Sequence, residues 1–189
     1  MLFKDVYSKG FFDLLSRVLH EMLPEFDADY FFEQIFQDDW EQMELKTRMR
    51  HTAQIVHLFL DQDIRTAIDQ LVDMSVRMSK KPLPHHSLAL MFLPDYIECY
   101  APHELYAAMN AFEKITPVAS CEFAIRTYLI EYPEKAMEIV YSWISHSNLH
   151  VRRLASEGTR PNLPWAKALH QFQRDPAPIW PLLEQLKTD

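Results

Sequence analysis

The sequence predicts an all-α chain, arranged as an α-solenoid of HEAT-like antiparallel helix pairs, with a compact helical bundle as the competing architecture. Three observations predict it. Apolar residues recur at helical spacing along most of the chain, and no alternating run of strand length appears. Glycine occurs only at Gly10 and Gly158, so few points need unusual backbone. Finally, Pro102, Pro117, Pro133, Pro164 and Pro176 each stand ahead of a helix-like segment, where a missing N–H costs little.

Taken in order, a first helix is expected from about Asp5 to Leu23, ended by Pro24. Asp27 is a candidate N-cap for an aromatic second segment containing Tyr30, Phe31, Phe32, Ile35 and Phe36. The set Leu45, Met49, Ile55, Val56, Phe59 and Leu60 predicts a long helix over about 40–60, and Asp61 or Asp63 starts another that reaches Met78. Lys80 to His86, with Pro82 and Pro84, reads as a loop. Pro94 falls inside an apolar pattern and is expected to kink or split its helix. Later segments are expected to pair as 103–116 with 118–131, 134–145 with 149–157, and 165–173 with 177–187.

Composition narrows the function. With 189 residues and 48% apolar content the chain can bury one core, so a single domain over 1–189 is expected. Two glycines cannot write a dinucleotide fingerprint or a P-loop, and two cysteines, Cys99 and Cys121, cannot build a Cys-based structural zinc site. His146 and His150 have metal-ligand spacing, but Asn148 is expected to start a helix between them and no third ligand follows; His85 and His86 fall in the loop. The longest apolar runs, such as Leu88 to Leu93, are far short of a membrane span. Met1 to Asp5 has no basic region leading into an apolar stretch, so a cytoplasmic location is expected.

The net charge of −8 argues at first against nucleic acid, but it is unevenly placed. Residues 1–119 carry all of it; within 143–174 five Lys/Arg face the single acid Glu157. Such a strip can meet phosphates or be an ordinary solvated face.

Three features could carry chemistry. In Asn148 to Gly158, Val151, Leu154, Ala155 and Gly158 form a buried stripe, Asn148 an N-cap and Gly158 a C′ residue. Arg152, Arg153, Ser156 and Glu157 are then exposed, with Arg160 just beyond; they make either an Arg153–Glu157 surface pair or a guanidinium fork for phosphates. Trp165, placed by Pro161 and Pro164 in the first turn of the next helix, either closes core or offers a face to a cation or a base; Trp143 and Trp180 read as packing. Glu122 falls on a mainly apolar helix from Val118 to Glu131, one turn from Arg126. It is either half of an ion pair or a candidate catalytic carboxylate.

Ser120-Cys121-Glu122-Phe123-Ala124-Ile125-Arg126, followed by His150-Val151-Arg152-Arg153-Leu154-Ala155-Ser156-Glu157-Gly158-Thr159-Arg160-Pro161-Asn162-Leu163-Pro164-Trp165-Ala166, resembles the AlkC branch of the AlkC/AlkD-like DNA alkylation-repair glycosylases. The likeness extends more weakly through Glu44 to His51 and Asp95 to Ile97. It implies a HEAT-like solenoid holding duplex DNA by its backbone and hydrolysing the N-glycosidic bond of cationic alkylated purines, 3-methyladenine above all, with no metal or nucleotide cofactor. It also implies the roles: Glu122 as the catalytic carboxylate, Trp165 and Phe123 against the lesion, and Arg126, Arg152, Arg153 and Arg160 on the DNA backbone. The family pattern continues past residue 189, with another repeat bearing a second V-R-R-like stretch and a further acid, so a chain truncated at its C-terminus is expected. A non-catalytic helical-repeat module that binds DNA or a protein is the alternative.

Overall fold

The computed structural model describes residues 2–37, 39–83 and 86–189. Among them are twelve α-helices and no strand: α1 (Lys9–Met22), α2 (Ala28–Ile35), α3 (Leu45–His57), α4 (Ile64–Ser79), α5 (His86–Ala89), α6 (Phe92–Tyr100), α7 (Leu105–Ile115), α8 (Ile125–Glu131), α9 (Pro133–Trp143), α10 (Leu149–Gly158), α11 (His170–Arg174) and α12 (Trp180–Leu186). Short 3₁₀ segments cover Phe3–Val6, Trp40–Gln42 and Ala177–Ile179. No helix among the described residues is long and apolar enough to cross a membrane, and Cys99 and Cys121 are free thiols.

The boundaries follow local chemistry. The expected first helix is divided at Ser8, whose hydroxyl caps α1 by accepting from the Phe11 N–H. Asp27 and Asp63 cap α2 and α4 in the same way, each satisfying an N–H that the helix leaves unpaired. The long third helix begins only at Leu45, after the Trp40–Gln42 turn. Pro94 does split its segment: α5 ends at Ala89, and the proline takes the third position of α6, where no helical N–H is missed. Pro84 and His85, in the predicted loop, lie outside the described residues.

Helices alternate between two stacked rows. In one, α1 packs on α4, α4 on α7 and α7 on α9; in the other, α3 packs on α6. The second row continues because the Tyr128 hydroxyl of α8 donates to the carbonyls of Ile97 and Ala101 at the end of α6, at 3.1 and 2.8 Å. It then passes to α10, where Gly158 lies against Ile125 of α8. This two-row order is a helical-repeat fold. The predicted partnership of α8 with α7 is only part of the packing, because α8 lies more extensively along α9, and α10 packs on both α9 and α12.

The α10 stripe is buried as predicted, at Val151, Leu154, Ala155 and Gly158. Gly158 serves another purpose than a left-handed cap. It is the last helical residue, with no positive φ, and a Cβ there would meet Ile125 Cγ2 at 3.0 Å. The missing side chain lets α10 approach α8. Trp143 is buried, its indole N–H donating to Glu113 at 2.7 Å, whereas Trp180 is 61% exposed and does not pack as expected.

Candidate nucleic-acid interface and reactive carboxylate

The motif residues collect where the start of α8 meets the middle and C-terminal end of α10. Glu122 and Phe123 lie in the turn just before α8, because residues 118–124 form turns and only Ile125–Glu131 is helix. The expected long apolar helix there is therefore corrected. Its apolar side chains Ala119, Cys121, Ala124 and Ile125 are buried by packing without helical periodicity.

Glu122 is 8% exposed. Its partner is Arg153 of α10, whose Nη1 approaches Oε1 to 2.5 Å, rather than Arg126. The approach is an ion pair without the N–H alignment of a hydrogen bond, and among the described residues Oε1 has no other donor. Burial raises the Glu122 pKa above its ordinary value against the pull of Arg153, and Glu157 adds to the rise. Glu157 itself pairs with Arg160 at 2.9 Å, not with Arg153. Both arginine side chains are more than half exposed, so the carboxylate's ion-pair partner Arg153 and the more distant charge of Arg160 both reach solvent.

Two predicted DNA-backbone residues are reassigned. Arg126 is fully buried and cannot face a phosphate. Its Nε donates to the carbonyl of Lys167, Nη1 to those of Gly158 and Arg160 at 3.2 and 2.8 Å, and Nη2 to that of Pro161 at 3.1 Å. A planar fork with five donors suits this task, gathering the carbonyls of a folded loop. Arg152 is engaged too: it grips the Asp189 carboxylate at 2.8 and 2.7 Å and donates to the carbonyls of His146 and Ser147 at 2.9 and 3.2 Å. A phosphate would reach it only by exchanging with Asp189.

Trp165 lies in the loop that Arg126 holds, not in a helix, since α11 begins at His170. Among the described residues it is the one non-glycine with positive φ, 68°. A bulky residue there is an outlier, a conformation that costs of order 1–3 kcal/mol and must be held by its surroundings. The indole is 61% exposed rather than closing the core. The structure brings it to Phe123: both line an apolar slot of about 60 Å³ with Leu45, Lys46, Met49, Leu88 and Met91. On its other flank an open groove of about 430 Å³ is bounded by Leu2, Phe3, Lys4, Glu44, Leu45 and Lys46.

Sequence reasoning missed Lys46, Arg50, Asp95 and Lys167 as part of this surface. Asp95, 5% exposed, takes a bidentate grip from Arg50 at 2.7 and 2.9 Å. Burial still holds the Asp95 pKa above its ordinary value. Lys167 meets Glu98 and the Thr127 hydroxyl, at 2.8 and 2.7 Å. The signal was present in the weaker matching runs around residues 44–51 and 95–97, which apolar periodicity does not weigh. The described residues hold no group of three or more His, Cys, Asp or Glu suited to a metal. His146 instead accepts the Asn148 N–H at 3.0 Å, and Asn148 caps α10.

No protein-family model matches the chain. An alkylpurine DNA glycosylase, AlkC of Pseudomonas fluorescens, solved bound to DNA containing an abasic-site analogue, superposes over 100% of the chain with a TM-score of 0.89 and 28% identity. The chain is similar to AlkC in both fold and sequence. In sequence the chain is similar to the YhaZ protein of Bacillus subtilis strain 168, 33% identical over 98% of the chain. The chain spans about half the length of each, 51% of AlkC and 50% of YhaZ.

Proposed function

We propose that this AlkC-like chain acts in DNA repair as an N-glycosylase, releasing cationic alkylated purines such as 3-methyladenine from duplex DNA. One observation carries the reading: Glu122 is a nearly buried carboxylate ion-paired with the exposed Arg153 and next in sequence to Phe123, which lines an apolar slot edged by Trp165.

The chemistry fits that inventory. A methylated purine already carries positive charge, so it leaves with the C1′–N electron pair as a neutral base, without a general acid. The sugar left behind is oxocarbenium-like, and an anion aimed at it lowers the barrier. Water adds to C1′, its proton passing to Glu122, and an abasic site remains. That product is the kind of DNA on which the AlkC of P. fluorescens is bound, as an analogue. The exposed Trp165 face suits a cationic ring. At about 60 Å³ the slot has room for roughly two waters, so a purine is not swallowed whole and contact is with exposed faces.

Arg153 and Arg160 are the phosphate contacts in this account. Changing both to Ala should flatten the salt dependence of duplex binding by close to two units of log–log slope, about 0.9 for each contact. Fluorescence titration of a labelled duplex across salt concentrations checks this, and an unchanged slope would remove them from the interface.

Glu122 must be ionised to act, so the rate falls as pH drops through its raised pKa, and the acid limb lies above that of an ordinary glutamate. Arg153 opposes that rise and Glu157 adds to it. Arg153→Gln should therefore move the limb to higher pH and Glu157→Gln to lower pH. A pH profile of base release checks both signs.

A further inference from the structure

We infer that Lys46 is a positioning residue for Trp165, holding the indole in the orientation that the proposed function requires; the inference rests on the reading that Trp165 faces the lesion. The Lys46 ammonium, in the first turn of α3, donates to the Trp165 backbone carbonyl at 2.9 Å. Trp165 is the residue in the left-handed region, where a large side chain is held against its own preference. The other ties of this loop act away from that point. Arg126 gathers the carbonyls of Arg160, Pro161 and Lys167, and the Leu169 N–H closes onto Pro161 at 2.9 Å. At the tip, the Ala166 N–H reaches Leu163 at 3.1 Å, but among the described residues only Lys46 binds the carbonyl of Trp165 itself, from a helix 119 residues earlier. Its stem also lines both the slot and the groove that Trp165 separates. A charged donor on a single carbonyl is a strong hydrogen bond, and its loss frees the φ,ψ of the residue that carries the proposed lesion face.

The test uses Lys46→Met, which keeps the length and removes the donor, and Lys46→Arg, which keeps a donor. Amide hydrogen exchange at Trp165 and Ala166 is expected to quicken about tenfold in Lys46→Met, to stay near wild type in Lys46→Arg, and to be unchanged in α10. Single-turnover base release should fall about tenfold in Lys46→Met and recover in Lys46→Arg, with duplex affinity and its salt slope unaltered. In a Trp165→Ala background Lys46→Met should cause no further loss, because the two act as one unit. Unchanged exchange, or losses that add, would overturn the proposal. So would a slope reduced by about 0.9, which would make Lys46 a direct phosphate contact. If the wild-type protein releases no base, the glycosylase reading fails, while the exchange arm still decides whether Lys46 holds Trp165.

Discussion

Replacing Glu122 by Gln should lower release of 3-methyladenine from alkylated duplex DNA by about 10²–10⁴-fold while leaving the fold intact. The substitution keeps the shape and removes the charge that the oxocarbenium-like sugar needs. The fold should survive because Glu122 is not a source of stability at neutral pH. Its pKa is raised on folding, so the folded chain holds this proton more tightly than the unfolded one. Stability is then lost as pH rises from the ordinary glutamate value through the raised one, and an amide escapes that loss. Its partner Arg153 is more than half exposed and returns to water at little cost. Circular dichroism and a thermal melt check the fold, and chromatography of released bases checks the rate. Activity within a few-fold of wild type would exclude the carboxylate from the reaction.

The largest effect on stability is expected at Arg126. Arg126→Met removes a fully buried guanidinium and strands carbonyls at Gly158, Arg160, Pro161 and Lys167. Each buried acceptor left unpaired costs about 1–3 kcal/mol, and water reaching the loosened loop recovers part of that, so a net loss of about 3–5 kcal/mol is expected. For a chain of this size the melting temperature should fall by roughly 10 °C. Arg126→Lys should lie between, since one ammonium cannot span carbonyls that a planar fork reaches from three nitrogens. The arms of the loop that carries Trp165 come apart in Arg126→Met, so base release should fall even at temperatures where the protein stays folded. A melt within 2–3 °C of wild type would show that the loop does not depend on this cation.

How far the sequence was legible depends on the range of the interaction. Local rules sufficed where a few neighbouring residues decide the outcome, as at the Asp27 and Asp63 caps, the break at Pro94, and the buried stripe Val151–Leu154–Ala155. They failed where distant partners decide. Glu122 stands in a turn, buried by its neighbours, and meets an arginine 31 residues away instead of the one a helical turn along. Arg126 carries no mark in the sequence of its burial, because its partners are backbone carbonyls, which every residue possesses. Trp165 was expected to open a helix; the loop is instead imposed by Arg126 and Lys46 from outside it. The motif thus names residues that meet in the structure, Phe123 with Trp165 and Glu122 with Arg153, but not which of its cations are buried and which exposed.

In the proposed reaction Glu122 stabilises a sugar cation while the base leaves on its own charge. It is tested most directly by giving the protein two duplexes, one carrying 3-methyladenine and one carrying hypoxanthine, a neutral purine, and measuring each released base. With Glu122 acting on the sugar and not on the leaving group, release of 3-methyladenine, dependent on Glu122, and no measurable release of hypoxanthine are expected. Release of both at comparable rates, or of neither, would contradict it.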